Sequence, residues 1–114
     1  MAFLAGFLVE TAEKYGLDYR LLPAISGVES SFGRAIPVNS YNAYGWNNGN
    51  YYFKNWEDGI EVVARGLKEN YLDRGRKTVY QIAPIYCPPS STWAGKVLFF
   101  MEEIDNLTTL QICP

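Results

Sequence analysis

Apolar residues recur at helical spacing along most of the chain, which predicts a mainly α domain of five or six helices. Leu4, Leu8, Ala12 and Tyr15 form one stripe with Ala5 and Val9 beside it. They predict a first helix from about Ala2 to Tyr15, stopped by Gly16. Phe3 and Phe7 fall outside that stripe, so they serve either a wider core face or a contact with another protein. Asp18 offers a side-chain cap for a second helix that stops near Gly33, and Pro23 just past the first turn removes one backbone donor. Asn55 caps a third helix from Trp56 to about Leu72, with Trp56, Ile60, Val63, Ala64, Leu67 and Tyr71 inside an arc of roughly 100°. A short helix over Thr78 to Ala83 comes next, then a loop from Pro84 to Ser91 whose prolines oppose helix. Ser91 or Thr92 caps the last helix, where Trp93, Val97, Phe100, Met101, Ile104 and Leu107 share a face. The segment from Arg34 to Trp46 has no helical period. Tyr44-Gly45-Trp46 and Tyr51-Tyr52-Phe53 flank the turn-rich Asn47 to Asn50, which predicts one small β-hairpin.

One position breaks the pattern. With Leu21 at zero on a wheel of about 100° per residue, Val28 and Phe32 fall within about 20° and Ile25 near about 40°. Glu29 lands near about 80°, inside the apolar arc, while Ser26, Ser30 and Pro23 take the other side. A carboxylate placed there either swings out to solvent at the helix end or sits half-buried at the floor of a cleft. Asp58, Glu57, Glu61 and Glu69 on the third helix point away from its apolar arc or border it, the ordinary pattern of a solvated face.

Composition narrows the chemistry. At 114 residues the chain predicts a single domain over 1–114 with room for a real core. Aromatic residues make up 16% of it, with nine Tyr and three Trp; such a surplus suits a surface that stacks on sugars, bases or peptides. A net charge of −2 argues against nucleic acid as the partner, and the one basic cluster, Arg74, Arg76 and Lys77, is short and lies at a turn. The chain has no histidine, which removes imidazole as proton carrier and as metal ligand. Cys87 and Cys113 alone do not make a zinc site, and their spacing leaves open whether they pair. We therefore expect neither metal nor cofactor. The apolar start up to Val9 is too short to span a membrane and lacks the basic leader of a signal peptide.

Glu29-Ser30-Ser31-Phe32-Gly33, then Asn42-Ala43-Tyr44-Gly45-Trp46, then Ile85-Tyr86-Cys87-Pro88-Pro89 with Trp93, resembles the lysozyme-like peptidoglycan-cleaving domains. Both the endo-β-N-acetylglucosaminidase branch and the lytic transglycosylases share this order of short motifs, and the resemblance runs from Leu17 to Ile104. It implies a helical lysozyme-like fold with a small hairpin beside a cleft. Glu29 matches the family's catalytic acid, Ser30 the small polar residue beside it, and Tyr86 the tyrosine facing that acid across the cleft. Asn42, Tyr44, Gly45 and Trp46 match the turn leading into the sugar-binding wall, to which Tyr52 adds a ring. Tyr86-Cys87-Pro88-Pro89 is closer to the glucosaminidase branch, which favours Tyr-Ala-Pro-Pro; transglycosylases favour Tyr-Asn-Ala-Gly. Their Gly-Leu-Met-Gln turn is missing too, since Asn47 and Asn48 follow Trp46, and Ser40 lies two residues later than the serine they place after the acid.

What the resemblance implies is cleavage of β-1,4 linkages between N-acetylated amino sugars of peptidoglycan, by hydrolysis in preference to the lytic route. Its implied partners are peptidoglycan strands and other cell-envelope or phage proteins, and its implied place is the envelope, periplasm or extracellular space. The isolated domain is expected to be a monomer. Breaking such a bond needs an acid to protonate the leaving oxygen and normally a second carboxylate, for which Asp58 or Glu61 is the candidate. If neither serves, the substrate's own N-acetyl oxygen can attack the anomeric carbon. The rival reading is a non-catalytic sugar-binding module in which Glu29 only accepts hydrogen bonds.

Overall fold

Five α-helices carry the computed structural model, which describes residues 4–112, with side chains through residue 106. They are α1 (Ala5–Tyr15), α2 (Leu21–Ser30), α3 (Trp56–Asn70), α4 (Val79–Tyr86) and α5 (Trp93–Ile112), with 3-10 turns at Trp46–Gly49 and Leu72–Arg74. Phe3 and Cys113 lie outside the described residues, as does the Leu107 side chain. Among the described residues no helix is long and apolar enough to cross a membrane.

The helix α2 is the centre of the packing. Leu21, Leu22, Ala24, Ile25, Ser26, Gly27 and Ser30 are all buried, so the helix is covered on both sides and not on one stripe. The serines tolerate this because their hydroxyls bond their own helix. Ser26 Oγ donates to the Pro23 carbonyl at 2.7 Å, a back-bond that removes the cost of an unmet buried hydroxyl. α5 packs mainly on α2, α1 on α3, and α4 on α5. Phe32 just past the end of α2 meets Phe100 of α5 edge-on, ring centres 5.2 Å apart.

Local chemistry explains several boundaries. Asn55 caps α3 through its side chain, which accepts from Asp58 N at 2.7 Å. Asp18 does not cap α2 with its carboxylate, contrary to expectation. Arg20 takes that group through its backbone N–H and its guanidinium, and the Arg20 guanidinium holds the Asp18 carboxyl below its usual range. Arg20 also reaches Asp105 on α5 at 2.5 Å. Pro23 lies within the first turn of α2, where no intrahelical donor is lost.

Two further expectations need correction. The helix predicted to stop at Ala83 continues through Pro84 to Tyr86. A full capping box at Thr78 and Gln81 anchors its start, and Cys87 N closes the last turn on the Ala83 carbonyl at 3.0 Å. One missing donor near the end of a short helix does not outweigh those bonds. No strand forms among the described residues, so the hairpin at 44–53 is absent. The Asn42 side chain takes the backbone groups a ladder would need. Its Nδ2 donates to the Trp46 and Tyr51 carbonyls, each at 3.0 Å, and its Oδ1 accepts from Trp46 N at 3.0 Å. Phe53 N donates to the Ser40 carbonyl at 2.8 Å instead of to a facing strand. Asn47 and Asn48 are left-handed at φ 52° and 55°, a conformation asparagine tolerates better than most residues, and the chain curls into the 3-10 turn.

Candidate functional site

Glu29 is the penultimate residue of α2 and its side chain is half-buried. The indole Nε1–H of Trp93, the first residue of α5, donates to Glu29 Oε1 at 2.8 Å. Trp93 itself is 2% exposed, so its ring is a fixed wall. The other carboxylate oxygen, Oε2, faces Gly45: a Cβ built there would lie 2.7 Å from it. Gly45 has φ 61°, a region where glycine carries no steric penalty. The two requirements coincide at one residue, which lets a turn of backbone approach the carboxyl where any side chain would strike it.

This division of the carboxyl has a chemical consequence. An indole N–H only donates, so Oε1 is held as an acceptor and a proton carried by Glu29 resides on Oε2.

Tyr86, the last residue of α4, stacks on Trp93 with centroids 5.0 Å apart and planes 24° apart. Its hydroxyl donates to the Tyr44 carbonyl at 2.7 Å, pinning the residue next to Gly45. Burial first, and then the Glu29 charge, hold the Tyr86 phenol well above the ordinary tyrosine range, so it remains a donor. α4 running through Pro84 is what carries the ring to this place. Trp46 completes the cluster at 6.0 Å from the Tyr86 ring centre. The edge of its indole comes so close to α3 that a Cβ at Gly66 would lie 2.7 Å from it.

Two hollows meet at this cluster, and Gly45, Asn48 and Tyr86 line both. The first, about 280 Å³, holds Glu29 with Pro37, Gly49 and Cys87 on its walls. The second, about 620 Å³, is bounded by Trp46, Asn47, Tyr51, Asn70, Tyr71 and Arg74. Together they form an open cleft of aromatic, amide and glycine surface, suited to the mixed apolar and hydroxyl faces of a sugar. Glu29 is the only carboxylate among the described residues lining either hollow.

The other expected site residues are distributed around this cleft in different roles. Asn42 is 2% exposed and uses its amide on the turn backbone. Ser30, 3% exposed, bonds the Ala43 carbonyl at 2.7 Å and accepts from Gly33 N at 2.9 Å. Ser40 is fully buried and accepts from Asn42 N at 3.1 Å. All three hold the turn; Ser30 and Ser40 line neither hollow, whereas Asn42 also borders the Glu29 hollow. Tyr44 is also buried, and its hydroxyl finds no partner among the described residues. Tyr52 is 59% exposed and outside both linings. Asp58 accepts from Lys54 N at 3.0 Å within the α3 cap, and Glu61 binds Lys14 at 2.8 Å and Tyr15 across α1 and α3. Neither carboxylate reaches the cleft.

Two lining residues, Asn70 and Arg74, and the partner of the carboxylate, Trp93, were given no site role from sequence. Trp93 reads as one more core position on its helical stripe, and its bond to Glu29 spans 64 residues. Asn70 and Arg74 read as solvated positions at the end of α3 and the turn after it.

Tyr86→Phe should lower stability by about 1 kcal/mol, since it deletes one part-buried hydrogen bond and strands the Tyr44 carbonyl. It should reduce turnover more than glycan affinity, because the loss falls on the turn that places Gly45 against Glu29. Thermal melts with a turnover assay test this; an unchanged turnover would reduce the hydroxyl to a structural detail.

No protein-family model matches the chain, and no curated protein matches it significantly.

Proposed function

We propose that this protein is a lysozyme-like glycosidase that cleaves β-1,4 linkages between N-acetylated amino sugars of peptidoglycan, with Glu29 as general acid. The observation that carries the reading is the divided carboxyl. One oxygen is fixed by Trp93 and the other lies against the Gly45 turn, while the residue lines an open hollow with no competing carboxylate among the described residues on its walls.

A single carboxylate sets the mechanism. The proton on Glu29 Oε2 passes to the glycosidic oxygen as the bond to the anomeric carbon breaks. The acetamido oxygen of the same sugar attacks that carbon, forming a cyclic oxazolinium ion in place of an enzyme ester. Glu29, now ionised, accepts a proton from a water that opens the ring and restores the sugar. Asn48 lines the Glu29 hollow and its amide is free of hydrogen bonds among the described residues, so it is the group placed to orient that water. Asp58, the earlier candidate for a second acid, has no part in this scheme. Such a substrate puts the protein in the cell envelope, periplasm or extracellular space, reached by a leader or by delivery such as a phage provides.

The lone carboxylate also favours a second reading, the lytic route. There the muramyl 6-hydroxyl captures the anomeric carbon and no water is consumed. Mass spectrometry of digested sacculi separates the two. Hydrolysis leaves fragments with a reducing end, heavier by one water than the 1,6-anhydro products of the lytic route. We expect the reducing products; anhydro-muramyl ends would overturn hydrolysis while leaving Glu29 in its role, and no cleavage would favour a glycan-binding module.

A further inference from the structure

We propose that Arg74 recognises a carboxylate carried by the glycan strand, and so makes the larger half of the cleft a subsite for an acid-bearing sugar. This rests on the glycan reading above, and extends it to a residue that reading does not use. Arg74 is the only cation among the described residues lining either hollow of the cleft. It ends the 3-10 turn after α3, held by Arg74 N donating to the Tyr71 carbonyl at 3.1 Å. Its guanidinium is exposed and makes no ion pair or hydrogen bond among the described residues. The neighbouring acid, Asp73, is taken by Lys68 at 3.0 Å, and no carboxylate among the described residues lines that hollow.

Arg74 belongs to a short basic cluster with Arg76 and Lys77, of which it alone lines the cleft. An unneutralised guanidinium beside Asn70 and Asn47 offers a planar fork of donors, a match for a carboxylate. It stands in the hollow that does not hold Glu29, so a bound acid there is kept away from the reacting bond's own acid. A neutral N-acetylglucosamine oligomer has nothing for this group to bind. A muramyl strand does, either on the lactyl ether itself or on the stem peptide attached through it.

Binding is measured in the Glu29→Gln background, so that turnover does not confuse it, with and without Arg74→Gln. Three probes are used: a chito-oligosaccharide, a peptide-bearing muramyl strand, and the same strand stripped of its peptides. Arg74→Gln should weaken at least one muramyl strand on the order of tenfold, as loss of a charge-assisted bond implies, while the chito-oligosaccharide changes by less than about twofold. The difference should shrink as salt is raised. A loss confined to the peptide-bearing strand assigns the stem-peptide carboxylate, and a loss on the stripped strand assigns the lactyl group. Equal loss on all three probes, no loss on any, or no binding of either muramyl strand overturns the proposal. Failure of the glycosidase reading shows elsewhere, as absent cleavage by the wild type, and leaves this binding ratio intact.

Discussion

Gly45→Ala should nearly silence the protein while leaving it folded. Two costs meet at this position. A left-handed alanine is strained by about 1–2 kcal/mol, which lowers stability without unfolding a domain of this size. The larger effect is geometric, because the new methyl would lie 2.7 Å from Glu29 Oε2. The atom in its way is the far end of a side chain, so the carboxyl yields and the backbone does not. Displacement of a reacting group by about 1 Å can cost on the order of 10²-fold in rate. It also pulls Oε1 from the Trp93 indole. A melt lowered by a few degrees with turnover reduced far more is the expected pair. Wild-type turnover in Gly45→Ala would show that the turn does not touch the chemistry.

The parts of the fold that could be read from sequence are those decided by neighbours in the chain. α3 combines a wide apolar arc with an asparagine cap bonding three residues ahead, and both signals are local. α1 ends before Gly16 for the same kind of reason. The parts that could not be read are decided at a distance. The turn-rich stretch after Trp46 carries hairpin residues, yet a buried side chain several positions earlier captures its backbone groups. Pro84 argues locally for a helix stop, and the capping box at Thr78 together with packing on α5 overrides it.

The site shows the same split. Glu29 stands out because a charge inside an apolar arc conflicts with its own helix, and such conflicts are visible in one dimension. Ser30, Ser40 and Asn42 fall in the motifs around it, and all three are buried in support of the turn, with Asn42 alone of them also bordering the Glu29 hollow. Trp93 is part of the motif set and of an apolar stripe, but neither signal shows that it fixes the carboxyl. Asp58 and Glu61 look alike in sequence, and only the fold shows them engaged elsewhere.

Glu29→Gln keeps the size and most of the hydrogen bonding of the side chain. Its amide oxygen can still accept from Trp93, and its amide nitrogen faces the same turn. What it loses is the transferable proton, and loss of general acid catalysis costs on the order of 10²–10⁴-fold. With no second carboxylate among the described residues lining the cleft, no described neighbour can take over the role. Stability should change little or rise, since residues placed for function are seldom optimal for folding.

The most direct test is therefore the release of soluble glycan fragments from purified sacculi, measured for the wild type and Glu29→Gln side by side at matched folded concentration. The account predicts release by the wild type and a loss of at least about 10²-fold in the variant. Equal release by both proteins, or none by the wild type, would contradict it.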